Sequence, residues 1–184
     1  MPSTMRVAFA GTHRTGKTTL LEAVHARLPA YDRVDEPYRW LEDEGHEFSD
    51  PPSTEDFERQ LRRSIDLITE FGAESGGRTL FDRCPLDLVA YLQATDEDFA
   101  IDDWLDEIRS GMAMLDLVVL VAIETPDRIA VPSHEDRRLR RRVDDRLQTL
   151  LLDDPHGLGT EILEVAGTLD HRVAQVMRAL AARA

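Results

Sequence analysis

The sequence predicts a three-layer α/β/α domain built on a five-stranded, mostly parallel sheet. Three observations carry that reading. Short apolar runs alternate with longer segments of helical period, no repeat or low-complexity linker interrupts them, and 184 residues suit one domain, read as 1–184. Strands are read at Arg6–Ala10, Arg78–Phe81, Asp116–Ala122 and Glu161–Val165, with Arg33–Asp35 a weaker fifth. Helices are read at Lys17–Leu28, Phe57–Phe71, Pro85–Gln93, Trp104–Leu115, Glu135–Leu152 and Asp170–Ala182. Within the second of these, Phe57, Leu61, Ile65 and Ile68 fall on one stripe, as a helix packed on a core requires.

Composition excludes several classes. The single cysteine, Cys84, cannot form an internal disulfide or a Cys-based zinc cluster, so a reducing cytoplasm is the expected setting. The longest apolar stretch, Leu117 to Ile123, falls far short of the ~20 residues that span a bilayer, and the N-terminus shows no secretory pattern. No membrane partner is expected. A net charge of −14 repels phosphate backbones, so extended nucleic-acid binding is also disfavoured. Any anionic ligand then needs a local cationic site. Two absences matter later: of 22 basic residues only Lys17 is a lysine, and the chain contains no asparagine.

The local cationic site follows the first strand. Gly11, Thr12, His13, Arg14, Thr15, Gly16, Lys17 and Thr18 fit G-x-x-x-x-G-K-[ST] between a strand and an amphipathic helix, with Thr19 next on that helix. The glycines let the backbone curl so that successive N–H groups converge on phosphate, and the helix N-terminus adds partial positive charge. In such a P-loop the lysine reaches the β- and γ-phosphates and the Thr18 hydroxyl is placed to ligate Mg²⁺. The only lysine in the chain stands where a compact ammonium is required and arginine's planar fork does not substitute. A P-loop NTPase fold is therefore expected, with ATP and Mg²⁺ as cofactors.

The loop alone serves many activities, and absences narrow them. Without asparagine the chain cannot carry the Asn-Lys-x-Asp motif by which guanine-specific GTPases read their base. The further signatures of helicases and transport ATPases are missing. The positive evidence is Thr79-Leu80-Phe81-Asp82-Arg83-Cys84-Pro85-Leu86-Asp87, an acid and an arginine at the C-terminal end of a buried strand, where open α/β sheets bind ligands. With Glu36-Pro37-Tyr38-Arg39 after the weak second strand, these segments resemble the nucleoside and nucleotide kinases of the P-loop fold. The sequence looks most similar to the bacterial AAA-domain ATP-binding group, which resembles nicotinamide riboside kinase domains and, more distantly, deoxynucleoside and thymidylate kinases.

The resemblance implies roles residue by residue. Glu36 becomes the candidate general base for the acceptor hydroxyl. Asp82 becomes the carboxylate near Mg²⁺, sharing or competing for that base role. Arg83 and Arg39 would orient the acceptor or steady the transferring phosphoryl group. Plainer readings stand beside these: Glu36 as surface charge beside a proline turn, Asp82 as a helix N-cap ahead of Pro85, Arg39 in a surface ion pair. Where such sequences commonly carry serine, this chain has Cys84, either buried and inert or activated by a helix N-terminus.

Six arginines fall between Arg137 and Arg146. Ser133-His134-Glu135-Asp136 has the form of a capping box, which would start a helix near Ser133. Leu139, Val143, Leu147 and Leu150 share one face, Arg137, Arg138, Arg141 and Arg142 lie opposite, and Arg140 is near the border. Arg140 with Asp144 and Arg141 with Asp145 have the spacing of exposed ion pairs. In the resembled kinases this segment, about 126–153, is a lid that brings arginines to the phosphates, which makes Arg137 and Arg141 the candidates. Gly167, after the last strand, corresponds to the loop that backs the adenine ring in related kinases, or to a plain turn.

The six histidines show no metal-ligand spacing. Ten acidic residues and one arginine between Asp35 and Glu58 make a polyanionic acceptor unfavourable there. The expected activity is transfer of the γ-phosphoryl group of ATP to a hydroxyl of a small molecule, most simply a nucleoside. A nucleoside monophosphate kinase, or a P-loop switch acting through a protein partner, are the alternatives. Dimers are common among such kinases, so the resemblance leaves room for a homodimer.

Overall fold

The run Arg-Val-Ala-Phe-Ala has no polar residue after its first, which suits a strand covered on both faces, and it forms the central strand β1 (Arg6–Ala10). The computed structural model describes residues 5–74, 76–127, 129–132 and 136–183. β1 lies between β3 (Thr79–Asp82) and β4 (Leu117–Leu120), with β2 (Asp32–Val34) and β5 (Ile162–Glu164) at the edges. The order is β2-β3-β1-β4-β5 and every pairing is parallel. All five expected strands are present, each within a residue or two of its expected ends.

Alternation along the strands builds two cores. Val7 and Phe9, with Leu80, Leu117 and Val119, face α1 (Lys17–His25) and α7 (Leu169–Ala181). Ala8 and Ala10, with Phe81, Val118 and Leu120, face the other layer. That layer holds α3 (Thr54–Glu74), α4 (Pro85–Thr95), α5 (Leu105–Ala113) and α6 (Arg137–Gln148). The connection from β1 to β2 thus runs over one face and those leaving β2, β3 and β4 over the other. At the C-terminal ends of β1 and β3 the chain departs toward opposite sides, and a crevice opens there. The register pairs Phe9 with Asp82, so the loops after both strands start level with each other.

One helix was not expected. α2 (Pro37–Asp43) starts at Pro37, with Glu36 at its N-cap position. A proline at the first helical position loses no hydrogen bond and is preset for the helix, so the Glu-Pro pair that reads as a turn is a helix start. The helix expected over 104–115 is α5, preceded by a 3-10 turn at Ile101–Trp104. α6 begins at Arg137 under an Asp136 cap that accepts from the N–H groups of Arg138 and Leu139, and it runs into a π turn at Thr149–Asp153. The capping box at Ser133, His134 and Glu135 lies outside the described residues.

The acidic stretch before α3 is ordered by one carboxylate. Asp56 is buried and accepts from the Ser53 N–H and hydroxyl at 2.9 and 2.8 Å, the Ser49 hydroxyl at 2.6 Å and the His46 ring at 2.8 Å. The Ser53 hydroxyl in turn accepts from the Asp56 N–H, which completes a capping box. Burial opposes its charge, yet these donors hold the Asp56 carboxyl below its ordinary value. A lowered folded-state value contributes stability that is present above the unfolded pKa of about 3.9 and lost as pH falls. Asp56→Ala should destabilise the fold by roughly 2–3 kcal/mol in urea titrations. Asp56→Asn should flatten the acid limb of the wild-type stability curve below about pH 4.

Candidate phosphoryl-transfer site

Gly16 closes the P-loop in the left-handed conformation, φ 84°, and acts as the backbone cap of α1. Gly11 needs its missing side chain for another reason. A Cβ there would sit 2.5 Å from the Val121 carbonyl oxygen and 2.8 Å from the Thr15 hydroxyl, so only glycine lets the loop leave β1 this close to β4. Residues Thr12 to Thr19, Glu36 and Arg83 line a cavity of about 260 Å³ at the crevice.

Period 2 along β3 puts Asp82 on the same face as Leu80, toward α1. There its carboxylate pairs with the buried Lys17 ammonium and accepts from the Thr18 hydroxyl at 2.8 Å. Burial alone would raise the Asp82 carboxyl; Lys17, Arg83 and Thr18 together hold it below its ordinary value. Asp82 is thus bonded to the loop lysine and hydroxyl and does not cap α4. A hydroxyl and a carboxylate, both hard oxygen donors, are the small protein share that Mg²⁺ takes when phosphates and water complete its shell.

Arg83 takes the left-handed conformation, φ 85°, which is costly for a residue with a Cβ. The turn brings its side chain back over the crevice. Its Nε donates to Glu36 at 3.1 Å and its Nη1 to the Gly11 carbonyl at 3.2 Å, and the guanidinium lies 5.5 Å above the Tyr91 ring. Glu36 is thereby fixed at the cavity wall by an ion pair from the turn after β3. Arg39 is exposed one turn further along α2.

Four participants were not singled out from the sequence. Asp87, fully enclosed, accepts from the Gly11 and Cys84 N–H groups at 2.9 Å each and stands 3.4 Å from Arg83. Burial pushes its carboxyl up, and Arg83 and the N–H donors offset this only in part. Its position three residues after Cys84, with Pro85 between, was the available signal: an acid at the third helical position reaches back to the cap. The Tyr91 hydroxyl accepts from the His13 N–H at 3.1 Å, and the Tyr91 ring stacks on Phe57 at 5.2 Å. Arg172 and Glu124 pair at 2.8 Å beside the loop, and Glu124 accepts from the Gly167 N–H at 2.6 Å.

The arginine helix departs from its expected arrangement. Arg140, only 3% exposed, is the member that faces the P-loop, where it pairs with Asp127 at 2.6 Å. The exposed Arg140–Asp144 pair does not form. Asp144 is buried and accepts instead from the Ile123 N–H and Gln148. Helical spacing leaves Arg140 at the border of the stripe that holds Val143 and Leu147, and the loop carbonyls and Asp127 that it meets turn it inward. Arg137 is exposed and donates to the Val131 carbonyl at 3.0 Å. Arg141 lines a separate cavity with Glu124, Asp127 and Asp145.

Cys84 is buried, and burial raises its thiol well above the ordinary value, so of its two readings the inert one holds. Thiol reagents should modify the folded protein at least ~100-fold more slowly than the denatured chain, because access requires local opening. Absorbance of the released reagent with and without denaturant checks this.

The AAA-domain family model matches residues 6–172. No curated protein matches the chain in sequence. Solved structures share its fold at low identity. Thymidylate kinase from Candida albicans matches with TM-score 0.65 and 15% identity, over 97% of this chain and 92% of that one. A NadR protein in complex with NAD and AMP-PNP matches with TM-score 0.69 and 18% identity, and this chain spans about half of it, 50%. Deoxyadenosine kinase from M. mycoides with bound dATP matches with TM-score 0.67 and 13% identity, over 96% of this chain and 100% of that one. With the family match spanning nearly the whole chain, and with the fold of P-loop nucleoside and nucleotide kinases, the protein belongs to the AAA-domain family.

Proposed function

We propose that the protein is a kinase that moves the γ-phosphoryl group of ATP to a hydroxyl of a small, nucleoside-like molecule. The observation that carries this is the convergence on one crevice of a phosphate loop, Lys17, Thr18 with Asp82, and a Glu36–Arg83 pair. Phosphoryl transfer asks for little else: cations around the γ-phosphate and one carboxylate to orient the acceptor. The structural neighbours, a thymidylate kinase and a deoxyadenosine kinase among them, support the same class.

The residues divide the work. Loop N–H groups and Lys17 bind the phosphates, and Lys17 meets charge on the β- and γ-oxygens. Thr18 and Asp82 would hold Mg²⁺, which when bound neutralises charge between those phosphates. Glu36, partly exposed at the cavity wall, accepts the acceptor hydroxyl's proton. Arg83, fixed by Glu36 and the Gly11 carbonyl, presents positive charge between acceptor and phosphate. Gly167, tied to Glu124, backs the nucleoside end of ATP. Arg137 is bonded to the Val131 carbonyl and Arg141 lines a separate cavity, so of the α6 arginines it is Arg140 that meets the loop.

A second reading is a nucleoside monophosphate acceptor, which the exposed Arg39 one turn beyond Glu36 would meet. Both readings are tested by ATP consumption over nucleosides, nucleoside monophosphates and aminoglycoside-like alcohols. ADP release should accelerate with one class. It should fall by ~10²–10³ in Lys17→Ala and Asp82→Ala and by at least ~10² in kcat in Glu36→Gln. Full acceptor-dependent turnover in Asp82→Ala would sink the site assignment. ATP binding with no acceleration by any acceptor would favour a switch.

A further inference from the structure

A P-loop binds phosphate only if its N–H groups face inward, and each N–H turned inward sends a neighbouring carbonyl outward, where it too needs a partner. Every carbonyl from Gly11 to Gly16 has one here. The Gly11 carbonyl accepts from Arg83 and the Thr12 carbonyl from the Thr15 hydroxyl, at 3.2 Å each. The His13 carbonyl accepts from Arg140 Nε at 3.1 Å and the Arg14 carbonyl from Arg140 Nη2 at 2.9 Å. The Thr15 carbonyl accepts from Arg172 Nη1 at 2.7 Å, and the Gly16 carbonyl from the Leu20 N–H inside α1. Three consecutive carbonyls at the tip of the loop are therefore held by two arginines from distant elements.

Both arginines are built in. Arg140 is 3% and Arg172 6% exposed, and each has a carboxylate behind it, Asp127 and Glu124. They reach the loop from opposite layers, since α6 belongs to the core with α4 and α7 to the core with α1. Arg172 also passes within 3.4 Å of where a Gly16 side chain would begin. A planar guanidinium can serve two carbonyls and a carboxylate at once, as Arg140 does; an ammonium on a flexible stem offers no such fixed fork. The buried Arg172 Nε has no partner among the described residues, a cost that an ordinary core residue at this place would avoid.

We infer that Arg140 and Arg172 are positioning residues that form a clasp around the outside of the P-loop. They set the loop's N–H groups toward the phosphates without touching the ligand. Through Glu124, Arg172 also fixes the Gly167 turn in the frame of the loop. The inference rests on the reading that the loop binds a nucleotide's phosphates and not on the identity of the acceptor.

The test is calorimetric titration with ADP and with inorganic pyrophosphate, beside thermal melting, for wild type, Arg140→Lys, Arg172→Lys and Glu124→Gln. Arg109→Lys serves as control, because Arg109 also donates to carbonyls, those of His156 and Gly157, away from the site. At temperatures where each variant is folded, both lysine variants should bind pyrophosphate and ADP about tenfold or more weakly, and Glu124→Gln should weaken in the same direction. The control should bind as wild type does. In Arg140→Ala, free guanidinium below denaturing concentrations should restore part of the affinity, and ammonium should not. Folded lysine variants that bind both ligands like wild type would overturn the clasp. So would a uniform loss in which Arg109→Lys shares. Wild-type protein that binds neither ligand would overturn the nucleotide reading itself.

Discussion

The carbonyl oxygens of residues 11–16 are the constraint on which the rest of this molecule depends. A loop that curls its N–H groups to one centre exposes its acceptors on the outside, and in a folded interior those acceptors need donors. The turn after β3 supplies Arg83, α6 supplies Arg140, α7 supplies Arg172, and α1 supplies its own first turn. Elements spread over the whole sheet are thereby drawn to one edge. The sheet order, which sets β3 and β4 on either side of β1, makes this geometrically available.

Much of this was legible in the sequence because strong local rules agreed. The apolar run at β1, the glycine pattern after it and the amphipathic helix beyond it all demand the same strand–loop–helix unit, so fold class and phosphate loop follow from adjacent residues. Asp82 was legible for a similar reason: a buried strand that ends in an acid at a sheet's C-terminal edge has few structural uses. Glu36 and Arg83 come together over 47 residues of chain, a closeness that only the sheet order supplies.

Other features were hidden by what sequence periodicity cannot see. Helical spacing puts Arg140 near the border between faces, and whether such a residue turns in or out depends on what waits for it. Here it is two carbonyls and Asp127. Arg172 sits one residue before Val173 on the buried side of α7, a charge on an apolar stripe whose partner lies 157 positions away. The charge pattern is sharper for it. An acidic chain that carries most of its positive charge as arginine uses several guanidiniums as hydrogen-bond forks directed at backbone, a use that net charge does not reveal.

The left-handed turn at Arg83 has a mechanical consequence. Asp82 and Arg83 are neighbours in sequence, yet one is bonded to Lys17 and Thr18 and the other to Glu36 and the start of the loop. An extended backbone would have sent the second side chain through to the opposite face of the sheet. Because one stiff peptide unit joins them, the two ends of the crevice share a lever. The placement of the Glu36 pair and of the carboxylate beside Lys17 therefore rests on the same backbone turn.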